Sequence, residues 1–336
     1  MGKTVSGSPE SRRHLLDRLR GRPGEWVSGT DLGASLTLSR AAIWKQAAAL
    51  RREGYVIEAC RRRGYRLRET PDLLLPAEIR SGLRTRTLGR GEIFHEEIVD
   101  STNRLADSLA REGAQEGTVV VAEGQTAGRG RRGRSWFSPP RLGIYVSLIL
   151  RPPIDPGEAP RLSILAATAA ATAVEDVSGL GVSIKWPNDL LTGGRKLGGV
   201  LTELATGGEE IRYAVVGLGL NVAVPPHLFP AGLAGGATSV LAERGAPVSR
   251  LALLCRFLDV FEEGYEALLA GNFGPVMEQW RRRTNCLGRR VTVEGIGRTW
   301  SGTAVDLDAN GFLLLRDDEG RIRRLSSGDL TVGAEG

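Results

Sequence analysis

Histidine and cysteine are scarce in this chain, with three of each among 336 residues. Cys60, Cys255 and Cys286 are too few and too scattered for a disulfide framework or a zinc site. Only His14, His95 and His227 are available for catalysis or ligation, which argues against a His-ligated metal centre and against a Ser-His-Asp triad. No secretory leader is visible: the opening stretch carries Arg12, Arg13, Arg18, Arg20 and Arg22 and no apolar run. One long stretch, residues 213–242, lacks formal charge. Pro225, Pro226, Pro230, Gly235 and Gly236 interrupt it, so it does not read as a membrane span. A soluble, cytoplasmic protein is the expectation.

The rest of the composition is that of a globular protein, 41% hydrophobic and 25% charged, which argues against disorder over most of the length. At ~150 residues per domain the length suits two domains with room for a small third. The net charge of +6 is unevenly spread. Residues 1–70 hold 15 basic and 7 acidic residues, a net of +8; the remainder holds 30 basic and 32 acidic, a net of −2. One basic module therefore precedes a near-neutral body.

Residues 1–9 read as a loose terminus. From Ser11, Leu15, Leu16 and Leu19 recur at helical spacing. Thr30 is the expected cap of a short helix that turns Leu32 and Leu36 inward. Ser39 caps a third helix with Ile43, Ala47 and Leu50 on one face, while Arg40, Trp44 and Lys45 fall on others. Two short strand-like runs follow, flanking Arg61, Arg62 and Arg63. Three helices and a basic hairpin are the layout of a winged helix-turn-helix that binds DNA through its third helix and its wing. A merely solvated hairpin tip is the alternative, and the local charge favours DNA.

After a boundary at residues 71–76 the pattern becomes mixed. Strand-like runs at residues 93–99, 118–123, 142–150, 182–186, 199–203 and 213–224 are interspersed with helices at 102–111, 160–177, 249–269 and 274–283. The alternation is too irregular for a Rossmann domain, so the expected class is α+β, a sheet with helices on one face. After residue 288, short strands separated by Asp308-Ala-Asn-Gly and Asp317-Asp-Glu-Gly suggest a small β-barrel of SH3 size.

Three segments carry the chemistry. Ala127-Gly-Arg-Gly-Arg-Arg-Gly-Arg-Ser-Trp places four arginines and three glycines in residues 128–134. Glycine lets the backbone approach a ligand and arginine grips phosphate with several donors, so the loop suits a nucleotide or phosphate ester. No Gly-Lys-Ser/Thr follows, so it is not a P-loop; an RNA-binding segment or a solvated loop is the plain alternative. In Ile184-Lys-Trp-Pro-Asn-Asp-Leu, Lys185 ends a strand where an ammonium can neutralise charge developing on a phosphoryl group. Asn188 and Asp189 either hold magnesium or close an Asx-turn, and the turn is the better reading from physics alone. Lys196-Leu-Gly-Gly-Val-Leu precedes Gly217-Leu-Gly-Leu-Asn-Val. The latter lacks the third glycine of a dinucleotide fingerprint, and Gly217 and Gly219 read as sheet positions against which something flat packs.

Together with Asp100-Ser-Thr-Asn and Gln125-Thr-Ala-Gly, these segments stand in the order seen in biotin–protein ligases, and the chain resembles that family over residues 11–334. Its N-terminal module resembles the DNA-binding domain of the bifunctional class, the biotin operon repressors. The resemblance implies a winged helix-turn-helix at 1–70, a catalytic domain with the class II synthetase-like biotin/lipoate ligase fold at 71–285, and an SH3-like domain at 286–336. It implies that biotin and Mg-ATP (Mg2+ with ATP) form biotinyl-5′-adenylate, which acylates a lysine of a biotin carboxyl carrier protein domain. Lys185, Arg129 and Arg131 would be catalytic. Ser101, Thr102, Asn103, Gln125, Gly128 and Gly219 would surround biotin together with those three. Arg131, Arg134, Trp136, Asn188, Lys196 and Asn221 would face ATP, with Asp189 a weaker magnesium candidate. Ser39, Arg40, Trp44, Lys45, Arg61, Arg62 and Arg63 would meet operator DNA, bound by an adenylate-loaded homodimer. Residues 128–134 should be mobile when empty, since ordering costs roughly 1–2 kcal/mol per residue in backbone entropy. A regulator that senses the adenylate without useful catalysis, or a lipoate-type ligase of the same fold, are the competing readings.

Overall fold

The computed structural model describes residues 9–295 and 297–333. The loose terminus expected at 1–9 lies outside the described residues except for Pro9, which opens the first helix. The chain divides into two units, the first ending at Asp72 and the second beginning at Leu73.

The first unit contains α1 (Pro9–Arg20), α2 (Gly29–Leu36), α3 (Arg40–Arg52), β1 (Val56–Cys60) and β2 (Gly64–Glu69). Leu15, Leu16, Leu19, Leu32, Ile43, Ala47 and Leu50 form its buried centre, as their helical spacing required. Ser39 caps α3 as expected, its hydroxyl accepting from Ala42 N at 3.2 Å. At α2 the cap is Ser28 rather than Thr30, with Thr30 N donating to Ser28 Oγ at 3.2 Å, and Leu36 is only half-buried. Both hydroxyls are competent caps; the helix simply starts two residues earlier than Thr30 allows. β1 and β2 pair antiparallel, placing Arg61, Arg62 and Arg63 at the exposed hairpin tip.

The division at Asp72/Leu73 falls within residues 71–76, and the second unit opens on α4 (Pro76–Gly82), with Pro76 at its first helical position. There follow β3 (Ile93–Val99), α5 (Thr102–Arg111), β4 (Val119–Gln125), β5 (Gly143–Leu150), α6 (Pro160–Ser178), β6 (Ser183–Lys185), β7 (Asp189–Thr192), β8 (Arg195–Gly207), β9 (Glu210–Asn221), α7 (Val240–Arg244), α8 (Arg250–Leu269) and α9 (Gly274–Arg283). The sheet is seven-stranded and mixed, in the order β3-β4-β5-β9-β8-β7-β6. Only β3 and β4 are parallel. Val119 and Val121 of β4 share one buried cluster with α6 and α8, while Val120 faces Ala106 and Ala110 of α5. Successive strand residues point to opposite faces, so helices cover both faces and not one.

The C-terminal strands β10 (Arg290–Glu294), β11 (Thr299–Leu307), β12 (Leu313–Arg316), β13 (Ile322–Leu325) and β14 (Asp329–Val332) make a five-stranded antiparallel sheet in the order β13-β12-β11-β10-β14. Its inward residues Val291, Val293, Leu313 and Leu315 merge with α6 and Trp186 into the main core. No helix among the described residues is long and apolar enough to cross a membrane.

Candidate functional site

A cavity of about 610 Å3 is walled by the start of α5, the end of β4, the loop after it, the β6–β7 turn, β8, β9 and the start of β14. The predicted biotin-side, ATP-side and magnesium residues all line it except Gly128, which lies beneath the loop. There its carbonyl accepts from Trp136 N at 2.8 Å. A Cβ on Gly128 would stand 2.6 Å from Trp136 O, so its contribution is to let the loop close on itself.

One end of the cavity is a neutral polar ring. Thr102 N and Oγ1 both donate to Gln125 Oε1, at 2.8 and 3.2 Å, and Gln125 Nε2 donates to Ser138 Oγ at 2.8 Å. Ser147 Oγ donates to Asn103 Oδ1 at 2.7 Å, and Asn103 Nδ2 donates to Glu203 at 2.9 Å. Ser101 occupies the N-cap position of α5 yet makes no side-chain cap bond. Its hydroxyl takes no part in capping, and this buried residue stands on the cavity wall.

The middle of the cavity is cationic. Asp189 accepts from Lys196 Nζ at 2.6 Å and lies 3.8 Å from Lys185 Nζ. Asp189 begins β7 rather than sitting in a turn, because Leu190 and Leu191 behind it are buried and paired between β6 and β8. Asn188 donates to Val200 O and accepts from Arg131 Nη1 at 3.3 Å. Burial, with Arg132 and Arg134 alongside, pulls the Arg131 guanidinium below its ordinary range against the opposing pull of Asp329 and Asp189. A poorly hydrated cation of that kind gains most from an arriving anion.

The arginine loop is a defined hairpin. Gly130 N donates to Arg134 O at 2.7 Å, and Arg129 bridges Ser135. Arg129 pairs with Glu203 at 2.9 Å. Arg132 donates to the Glu294 and Gly295 carbonyls, each at 2.9 Å, and Arg134 pairs with Asp329 at 2.5 Å. Asp329 and Glu294 also line the cavity, and sequence reading missed both. No local signal marks them, since their partners lie in a distant loop.

Gly219 does pack against something flat, and it is the chain's own Trp136: a Cβ there would stand 2.5 Å from the indole Nε1. A Cβ on Gly217 would run into Asn103 Oδ1. Lys196 Nζ stands 5.6 Å from the Trp136 ring centroid, and the buried indole N–H has no hydrogen-bond partner. Asn221 is committed to Thr238 O at 3.0 Å, which ties β9 to the segment carrying Phe229 and Leu233 on the cavity wall.

In the first unit, Arg40, Trp44 and Lys45 share the exposed side of α3, with Trp44 62% exposed. Ser39, also expected to meet DNA, spends its hydroxyl on the cap. Arg61 and Arg62 project at the hairpin tip, whereas Arg63 and Arg66 lie over the Trp26 ring at 6.0 and 4.6 Å. Among the described residues no group of three or more His, Cys, Asp or Glu side chains could hold a metal ion. Asp189 alone, already balanced by two lysines, does not fit a protein-held magnesium site.

The fold and its cavity fall in the class of biotin- and lipoate-type protein ligases fused to a helix-turn-helix unit. The sequence profiles of the HTH domain, the Biotin/lipoate A/B protein ligase family and the Biotin protein ligase C terminal domain match residues 11–66, 96–221 and 286–331. The bifunctional ligase/repressor BirA of Bacillus subtilis is 38% identical over 322 residues, 96% of this chain and 98% of that protein. Its Escherichia coli counterpart is 31% identical over 92% of this chain and 94% of its own length. The biotin protein ligase from Aquifex aeolicus, solved in complex with biotin and ATP, superposes with a TM-score of 0.62 at 28% identity, covering 72% of this chain and 99% of that one. The chain belongs to the bifunctional BirA ligase/repressor family.

Proposed function

We propose that the protein biotinylates a lysine of a biotin carboxyl carrier domain through biotinyl-5′-adenylate, and represses transcription by binding operator DNA. The observation that carries this reading is one cavity with a neutral polar end and a cationic middle. The Thr102–Gln125–Ser138 chain and Asn103 offer donors and acceptors suited to a ureido ring. Lys185 and Arg131, which both line the cavity, would bind the biotin carboxylate and the α-phosphate together, neutralising charge as the anhydride forms. Trp136 and Lys196 border the place for the adenine end. No side-chain nucleophile is required, consistent with a cavity wall without His or Cys among the described residues. Magnesium would arrive with the ATP phosphates. Adenylate loading would favour a homodimer whose α3 helices and Arg61–Arg62 tips bear on DNA, in the cytoplasm.

Incubation with ATP, tagged biotin and a carrier domain tests the ligase reading. Labelled carrier and biotin-dependent pyrophosphate release are expected. Binding without pyrophosphate release would leave only an adenylate-sensing regulator. Calorimetric titration should show biotin binding and no lipoate binding, since a dithiolane leaves the polar ring unpaired. A gel shift at two salt concentrations should give a biotin- and ATP-dependent complex with a steep salt slope.

A further inference from the structure

A second cavity, of about 360 Å3, lies behind the first and shares with it Arg131, Trp186, Pro187, Asn188, Val200 and Leu201. It opens between the first turn of α6 (Pro160, Ser163, Ile164), the β8 residues Thr202 and Leu204, and Gly311 and Phe312 of the C-terminal sheet. The shared wall carries the turn that follows Lys185, next to where the proposed reading puts the acyl carbon. Among the described residues lining this second cavity, Arg131 is the only charged one. Its hydroxyls are largely spent on one another, Ser163 Oγ donating to Thr202 Oγ1 at 2.8 Å.

We propose that this second cavity is the channel by which the acceptor lysine reaches the acyl carbon, and that its walls select the neutral amine over the ammonium. The inference rests on the ligase reading above. The attacking nitrogen needs its lone pair, so an ammonium cannot react. Among the described residues no histidine lines either cavity to act as base. The channel offers another route. A long side chain entering it meets apolar surface, no carboxylate, and one cation facing it, and each of these disfavours a second positive charge. The surrounding charges are already engaged. At the rim, Glu158 pairs with Arg161 at 2.6 Å, and Asp308 pairs with Arg324 beside Phe312. Glu203, on the neighbouring position of β8, is taken by Arg129 and Asn103. Beyond the shared wall stand Lys185, Lys196 and Asp189, a net positive group. The proton therefore leaves to water as the side chain enters. The neutral nitrogen attacks the acyl carbon, the new C–N bond forms, and the C–O bond to the phosphate breaks. AMP departs with that electron pair, and the remaining surplus proton on nitrogen passes to water.

Placing a carboxylate in the channel tests this. Ser163 lines the second cavity and not the first, and it lies in the first turn of α6, where an acid is tolerated. Ser163→Asp is compared with Ser163→Asn, which has the same shape without the charge. Adenylate formation is followed by biotin-dependent pyrophosphate exchange, and transfer by labelling of a carrier domain from pH 6 to 10. Hydroxylamine, small and largely uncharged from neutral pH upward, serves as a surrogate nucleophile from pH 7 to 10. The aspartate should raise the apparent pKa of transfer by about one unit relative to asparagine and slow transfer near neutrality about tenfold. The two should converge at high pH, with pyrophosphate exchange and hydroxylamine capture alike in both. Identical pH profiles for the two variants, or hydroxylamine capture falling in step with transfer, would overturn the channel alone. Absence of adenylate in the unaltered protein would overturn it together with the ligase reading.

Discussion

Arg132 and Asp329 are 197 positions apart in the sequence and 3.0 Å apart in space. That ion pair, with Arg134 on the same carboxylate and the Glu294 and Gly295 carbonyls on Arg132, moors the arginine loop to the C-terminal sheet. The loop also carries Arg129 and Arg131 into the cavity. Removing the mooring should restore the conformational freedom expected of a Gly/Arg segment. For Asp329→Asn we expect adenylate to escape about tenfold faster, with little change in melting temperature, because exposed pairs contribute little to stability. Stopped-flow measurement of adenylate release against calorimetry checks it; unchanged release would sink the role of the mooring.

Lys185→Ala should abolish measurable adenylate formation while leaving the fold intact, since the proposed reading puts this partly exposed ammonium where the carboxylate and α-phosphate meet. Loss of a preorganised charge of this kind costs about 10²–10³ in rate. Pyrophosphate exchange measures the rate and circular dichroism the fold.

Arg131→Gly should leave adenylate formation measurable but release the intermediate early, so that proteins other than the carrier become labelled. Arg131 is the cation shared by both cavities and held by Asn188. Carrier selectivity equal to that of the unaltered protein would count against it. The readout is a tagged-biotin blot of a mixed protein sample.

Gly219→Ala should damage the nucleotide end selectively. The new methyl would meet the Trp136 indole at 2.5 Å and displace it. A rise in KM for ATP of about tenfold, or ~1.4 kcal/mol, is expected, with biotin affinity nearly unchanged. Steady-state kinetics and indole fluorescence report it.

Glu123 and Arg250 form a fully buried pair at 2.8 Å, joined by His95 and by Leu74 N. Burial works to raise the Glu123 carboxyl, but His95, Arg250 and the Leu74 amide outweigh it and hold it below its ordinary value. A depressed carboxyl stabilises the fold above its unfolded pKa of about 4.3, and that stabilisation is lost as pH falls through the lower folded value. Glu123→Gln should cost about 3–5 kcal/mol at pH 7, because the buried Arg250 guanidinium loses the Glu123 charge. The gap to the unaltered protein should shrink below pH 4. Urea titrations at both pH values decide this.

Much of this was legible in order along the chain. The spacing of Leu15, Leu19, Ile43 and Leu50 specified the first unit, and the five motifs converge on one cavity. What escaped notice lacked a local signature. β7 is four residues long, and its register is set by β6 and β8 rather than by its own pattern. Asp329 reads as one acid among many until the fold brings it to Arg132. The flat partner foreseen for Gly219 was right in kind, but only the folded chain shows that Trp136 supplies it.

The mooring of the arginine loop also sets an order in time. A ribosome completes every motif of the first cavity, from Ser101 to Asn221, long before it adds β14. A nascent chain, or one clipped by a protease ahead of Asp329, would hold the chemistry without the clamp on its loop. On the proposed reading such a fragment would be a leaky form of the enzyme, and the intermediate would be contained only once β14 has been translated.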